Sequence, residues 1–246
     1  SMIQGIRNSK AERIIFKHND PEHLDKILKT IHPERPKLVA FESIYSMDGD
    51  EAPLKLLAEI CKNKGLHLIV DEAHSTGISG DHGKGLCYSE NINPFAKLFT
   101  FGKAMGCHGA IWITSQIVRE YLINFCRPFI YTTALPPSVL AAAIKAIEII
   151  QSRKALVKKP YRNAKLFCKI AGLPVPESSI VSIILKSEKN AINASKLLEK
   201  NGYYVCAIRP PTVPINTSRL RFTFSAAHKK QDILNLSKLV KSLNFN

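Results

Sequence analysis

The chain has 246 residues, with 35 Lys and Arg against 20 Asp and Glu, a formal net charge of +15. Hydrophobic residues make up 45% and charged residues 22%, so a disordered chain is excluded and there is ample material for a packed core. No apolar run approaches the roughly 20 residues of a membrane-crossing helix, and the mixed polar start, Ser1 to Lys10, does not read as a signal peptide. The six cysteines stand singly and far apart, which predicts no structural zinc site and points to reduced thiols in a cytoplasmic setting.

In chain order, Lys37–Ser43 reads as a buried strand. Pro53–Lys64 reads as a helix, because Leu54, Leu57, Ala58 and Cys61 fall at i, i+3, i+4 and i+7, and Gly65 suits its stop. Leu66–Val70 is the next strand and ends at Asp71, Lys97–Phe101 and Gly109–Thr114 are strand candidates, and Pro137–Ile150 is a long helix begun by prolines. This alternation predicts an α/β fold with a mostly parallel sheet. Beyond residue 151 the pattern changes to strand Ile180–Lys186, helix Ala191–Lys200, strands Tyr203–Ile208 and Arg219–Phe224, and helix Asp232–Leu243, a small α+β unit. The charge changes at the same place. Residues 1–150 hold 17 Lys and Arg against 16 Asp and Glu, whereas 151–246 hold 18 against 4. Two domains, 1–150 and 151–246, are therefore expected, the second carrying either a solvated lysine-rich surface or a site for an anionic partner.

The chemical residues fall where α/β enzymes place them, beyond the carboxyl ends of strands. Asp71 ends a buried strand and is followed by Glu72, Ala73 and His74. Alone, Asp71 would serve as the cap of a following helix and His74 as a hydrogen-bonded core histidine. Asp-Glu-Ala-His is also the box of a helicase class, but no GxxxxGK[ST] phosphate loop precedes it, so that reading is set aside. Lys103 follows a strand within Thr-Phe-Gly-Lys-Ala-Met-Gly. A partly apolar pocket there would favour the neutral amine that covalent catalysis requires, whereas a plain turn would leave it a surface lysine.

Taken together, six segments resemble the α-oxoamine synthase family of pyridoxal-phosphate enzymes. They are Ser43–Asp50 with Ala52-Pro53-Leu54 behind it, Asp71–Gly77, Thr100–Ala104, Phe129–Thr133, Ile208–Pro214 and Arg219–Thr223. The resemblance implies the fold type I of aspartate aminotransferase, with a large domain and a small C-terminal domain. It implies that Lys103 bonds pyridoxal 5'-phosphate and later moves the α-proton, that Asp71 pairs with the pyridinium nitrogen and that His74 meets the phenolic oxygen. Ser46 and Thr100 would hold the cofactor, and Thr132 or Thr133 would reach the cofactor of a second subunit in a homodimer. Arg209 would bind the amino-acid carboxylate and Thr212 would contact substrate.

The implied reaction is decarboxylative condensation of an amino acid with an acyl thioester on CoA or a carrier protein. The Ser-Met-Asp-Gly-Asp and Arg-Pro-Pro-Thr-Val-Pro runs are most similar to the branch serving biotin synthesis, which uses alanine and a pimeloyl thioester. Members that condense glycine or serine are the alternatives, and a non-catalytic polyanion-binding protein on the same fold is a third. The family pattern also has a ring-stacking histidine in a His-Ala-Ser run whose serine would match Ser1. The N-terminal part of the family fold would then precede these residues, and they are expected by themselves to bind the cofactor weakly or not at all.

Overall fold

The computed structural model describes residues 2–243. Ser1, matched above to the serine of the His-Ala-Ser run, lies outside them. The chain opens with α1 (Met2–Asn8) and α2 (Pro21–Thr30). Asp20 caps α2 by accepting the His23 backbone N–H, with Pro21 in the first turn, the arrangement that satisfies orphan donors at a helix start. Next come β1 (Leu38–Glu42), α3 (Leu54–Asn63) and β2 (His67–Asp71). α4 (Leu86–Ser89) and a hairpin of β3 (Ala96–Thr100) and β4 (Ala110–Thr114) follow. α5 (Gln116–Phe125), α6 (Arg127–Ile130), α7 (Pro137–Ser152) and α8 (Lys154–Ala171) lead into the C-terminal unit. That unit is β5 (Ile180–Lys186), α9 (Glu188–Lys200), β6 (Cys206–Ile208), β7 (Ser218–Thr223) and α10 (Lys230–Ser242).

The first sheet has the order β1-β2-β3-β4. β1, β2 and β3 run parallel, and β4 pairs antiparallel with β3. Register aligns Glu42 with Asp71 and Asp71 with Leu98, so three carboxyl ends share one edge. Its core joins Val39 and Phe41 of β1, Leu68 and Val70 of β2, and Leu54, Leu57 and Cys61 of α3. Each such side chain contributes roughly 1.5–3 kcal/mol of burial. The second sheet is antiparallel, in the order β5-β7-β6, with α8, α9 and α10 closing a core around Phe167, Leu198, Leu220 and Phe222.

The two units meet at residues 46–50. The Ser46 carbonyl accepts from Arg221 Nε at 2.5 Å, the Met47 carbonyl from Ser182 Oγ at 2.6 Å, and the Gly49 carbonyl from Ser178 Oγ at 2.6 Å. Asp48 pairs with Arg219, which is only 4% exposed. Behind the loop, Asp50 Oδ2 lies 2.7 Å from His18 Nε2 and accepts from Asn19 Nδ2.

Two differences from the sequence reading have clear causes. Arg219–Phe224 was expected to be buried on one face. In β7 Arg219 is buried too, because the opposite face packs on residues 46–50. β4 forms as expected, yet Ile111, Trp112 and Ile113 are all exposed at the sheet edge. Ile117, Tyr121, Phe125, Phe129, Tyr131 and Ile144, on the elements that follow, are exposed as well.

Candidate functional site

The site begins at the shared carboxyl edge. Asp71 is buried, and its Oδ1 accepts the Ala73 backbone N–H at 2.9 Å, leaving the second oxygen for another donor. The bond closes a turn and does not cap a helix, since residues 73–78 form successive turns. His74 follows on this turn. Burial, then the charges of Lys103 and Arg221, pull its imidazole down to about 3. The ring is therefore neutral at ordinary pH and free to act as a hydrogen-bonding group.

Gly77 locks this turn onto the lysine loop. A Cβ at Gly77 would lie 2.7 Å from the Ala104 Cβ, and its φ of +83° itself favours glycine. Lys103 sits in the loop joining β3 to β4. The loop is closed by Phe101 N–H to the Gly109 carbonyl (2.9 Å), Cys107 N–H to the Phe101 carbonyl (2.8 Å) and Gly106 N–H to the Lys103 carbonyl (3.0 Å). Lys103 is exposed, whereas an apolar pocket was one of the two settings considered. Its loop lies beyond the strand ends, and its charge is felt by His74, whose pKa it lowers. At the end of β3, Thr100 Oγ1 is buried and has no hydrogen-bond partner among the described residues. A buried orphan hydroxyl costs free energy unless a ligand satisfies it.

Ser46 donates from its N–H and its hydroxyl to Glu42 Oε2, at 2.9 and 3.2 Å. It joins the site through its carbonyl, which holds Arg221. Burial lowers the Arg221 pKa, with Cys206 and Glu42 opposing that shift. Arg221 is the residue that sequence reasoning passed over. Its signal was the Arg219–Phe224 alternation: Leu220 and Phe222 on the core face put Arg219 and Arg221 on the other. Arg209 is exposed just after β6, and exposed Thr212 donates its N–H to the Arg209 carbonyl at 3.0 Å. Thr132 and Thr133 are exposed between α6 and α7. None of these four is among the hydrogen-bond or charge neighbours of His74 and Arg221.

Glu72 lies fully buried beneath the site. Its Oε1 accepts from the Cys87 N–H (2.9 Å) and from Ser75 Oγ (3.1 Å), while Oε2 has no partner. Ser43 Oγ donates to Ser75 Oγ at 3.0 Å and extends the chain. Burial raises the Glu72 pKa above 4.5, with the Cys87 and Ser75 hydrogen bonds opposing. A carboxyl raised in this way contributes stability that is full below the unfolded value and falls away as pH rises through the folded one. Glu72→Gln is expected to match the parent near pH 4 and to exceed it by about 1–2 kcal/mol near pH 7, read from urea unfolding across pH. A constant difference over that range would show that Glu72 does not titrate differently on folding.

Residues 1–239 match the family described as aminotransferase class I and II. A Bacillus cereus (strain Q1) protein provisionally named 8-amino-7-oxononanoate synthase is 44% identical over 240 residues, 95% of this chain and 61% of the relative. Serine palmitoyltransferase from S. paucimobilis, solved with a pyridoxal-phosphate adduct of myriocin, aligns with a TM-score of 0.92 at 31% identity, covering 98% of this chain and 63% of that one. The 8-amino-7-oxononanoate synthase of Francisella tularensis aligns at 0.82 with 30% identity, covering 98% and 71%. The chain thus spans about three-fifths of the length of the curated relative. With the family model matched over residues 1–239 and the fold shared with two solved α-oxoamine synthases, the chain belongs to the aminotransferase class I and II family, on the branch of the α-oxoamine synthases.

Proposed function

We propose that the protein is a pyridoxal-phosphate-dependent C-acyltransferase of the 8-amino-7-oxononanoate synthase type. It condenses an amino acid, L-alanine, with a pimeloyl thioester on CoA or a carrier protein, loses carbon dioxide and yields the aminoketone of biotin synthesis. The carrying observation is the union of buried Asp71, neutral His74 and Lys103 with Arg221 opposite. The chain's groups fit the cofactor: a carboxylate with an oxygen to spare, an uncharged imidazole, an unsatisfied buried hydroxyl on Thr100, and a primary amine on an accessible loop. Pyridoxal phosphate, when bound, supplies the electron sink for the carbanion next to the amino-acid carboxylate.

In this reading Asp71 accepts from the pyridinium N–H, His74 orients the phenolic oxygen, and Thr100 donates to the phosphate, with Ser46 fixing the neighbouring loop. Lys103 Nζ anchors the cofactor and then takes and returns the α-proton. Arg221 grips the substrate carboxylate as a fork, and Arg209 and Thr212 approach from the loop after β6. The large domain comprises 1–150 and the small one 151–246. Two copies pair through the apolar surface from β4 to α7, bringing Thr132 and Thr133 to the partner's cofactor. Six free cysteines suit the cytoplasm. The 0.92 TM-score to serine palmitoyltransferase favours serine as the second candidate amino acid.

Borohydride reduction of the full-length protein with pyridoxal phosphate should leave a phosphopyridoxyl group on Lys103, mapped by peptide mass. Labelling elsewhere, or none, would overturn the assignment. Turnover with alanine against serine then decides between the two substrates.

A further inference from the structure

The proposed chemistry does not use most of the charge in the last two-fifths of the chain, and the fold concentrates part of it on one face. α8 contains no Asp or Glu. Its Val157, Ala164, Phe167 and Cys168 are buried. At about 100° per residue, Lys154, Lys158, Arg162, Lys165 and Lys169 fall within an arc of roughly 80° on the opposite side. All five are exposed. At 1.5 Å per residue they form a row about 22 Å long. α10 packs beside α8 against the same core. Its exposed Lys230, Lys238 and Lys241 lie in a similar arc, away from buried Ile233, Leu236 and Val240. Asp232, the one acidic residue of α10, falls outside that arc. Among the described residues, the ion pair made by these cations is Lys154 with Asp81 at 3.2 Å.

Like charges at i, i+4 repel by a few tenths of a kcal/mol per pair, so the α8 row carries a cost that an anionic surface would relieve. We propose that the α8–α10 face docks an acidic helix of a partner protein. Carboxylates at i, i+4 on a facing helix repeat at about 6 Å, the spacing of the α8 row. Arg162 is the one guanidinium among these eight cations, and lysine offers a point charge instead of the fork that phosphate recognition favours. Tyr161, half-buried at the edge of the α8 row, has the Lys165 amine over its ring at 5.3 Å, so its face is covered by a cation instead of being left open for a base to stack on. Neither row carries a large apolar side chain to anchor in a bilayer, since exposed Leu156 on α8 falls roughly 120° or more from the arc.

The test uses the full-length protein and four labelled probes: a synthetic Ala-rich helix with glutamate at i, i+4, the same composition scrambled to a non-helical order, a short DNA duplex, and phosphatidylglycerol vesicles. The acidic helix should bind more tightly than the other three, and more weakly as salt is added. The triple charge reversal Lys158→Glu, Arg162→Glu, Lys165→Glu should weaken it about tenfold or more. Reversal of Lys196 and Lys200 on α9 should leave it unchanged. Circular dichroism and labelling of Lys103 report whether each variant keeps its fold and its cofactor site, so that failure here is separable from failure of the catalytic reading. Equal binding of the scrambled peptide, tighter binding of duplex or vesicles, no binding of the helix, or indifference to the triple reversal in a folded protein would each overturn the proposal.

Discussion

Replacing Arg221 by alanine is expected to lower kcat/KM for the amino acid about a hundred- to a thousandfold, mostly through KM, while Arg209→Ala costs less than about tenfold. The reason is position. Arg221 is partly buried, held by the Ser46 carbonyl, and close enough to His74 to depress its pKa, so a carboxylate meeting it there would be poorly screened. Arg209 stands exposed, where ion pairs are worth up to about 1 kcal/mol. Arg221→Lys keeps the charge but loses the fork, and should fall between the two. Steady-state kinetics in the full-length protein, with urea unfolding alongside to confirm folding, makes the comparison. A larger loss at Arg209 would mean that its loop closes over the substrate and carries the carboxylate contact.

Gly49→Ala should be the most damaging single-methyl change in the chain, costing about 3 kcal/mol or more and lowering Tm by roughly 6–12 °C. A Cβ there would stand 2.4 Å from the Ile180 carbonyl oxygen, at a φ of +84°. To relieve that clash the loop must withdraw from β5 and β7, loosening the hydrogen bonds to Met47 and Gly49 and the hold of Arg221 on Ser46. Gly65→Ala is the matched control. Its φ is +63°, and a Cβ there meets nothing within 4 Å, so only the backbone cost of about 1 kcal/mol remains. Equal effects at the two glycines would show that residues 46–50 are not a tight joint between the units.

Local signals located most of the scaffold. The i, i+3, i+4, i+7 pattern of Leu54, Leu57, Ala58 and Cys61 became α3, and Ile180–Lys186 became β5 without change, because each has an apolar face wide enough to dictate its period. Other elements were not legible. α8 was not foreseen, since Pro160 interrupts its pattern; the helix continues because Pro160 is buried against the small core and packing outweighs the lost hydrogen bond. Tyr203–Val205 looked like strand and is not, since Tyr203 folds back to donate its N–H to the Leu198 carbonyl behind α9.

The site divides the same way. By itself the sequence placed nothing in space; its ordered blocks named Asp71, His74, Thr100 and Lys103 through their resemblance to a known family. Which groups then act on one another was decided by long-range contacts. Ser46 came forward as a cofactor residue, and the fold makes its loop the joint on which the small sheet rests. Glu72 read as one letter of a motif, and its burial beneath the turn raises its pKa. Arg221, within the last quarter of the chain, reaches His74 only because β7 turns its polar face onto residues 46–50. Such a meeting depends on the packing of two separate cores, and no periodicity within one segment encodes the distance between them.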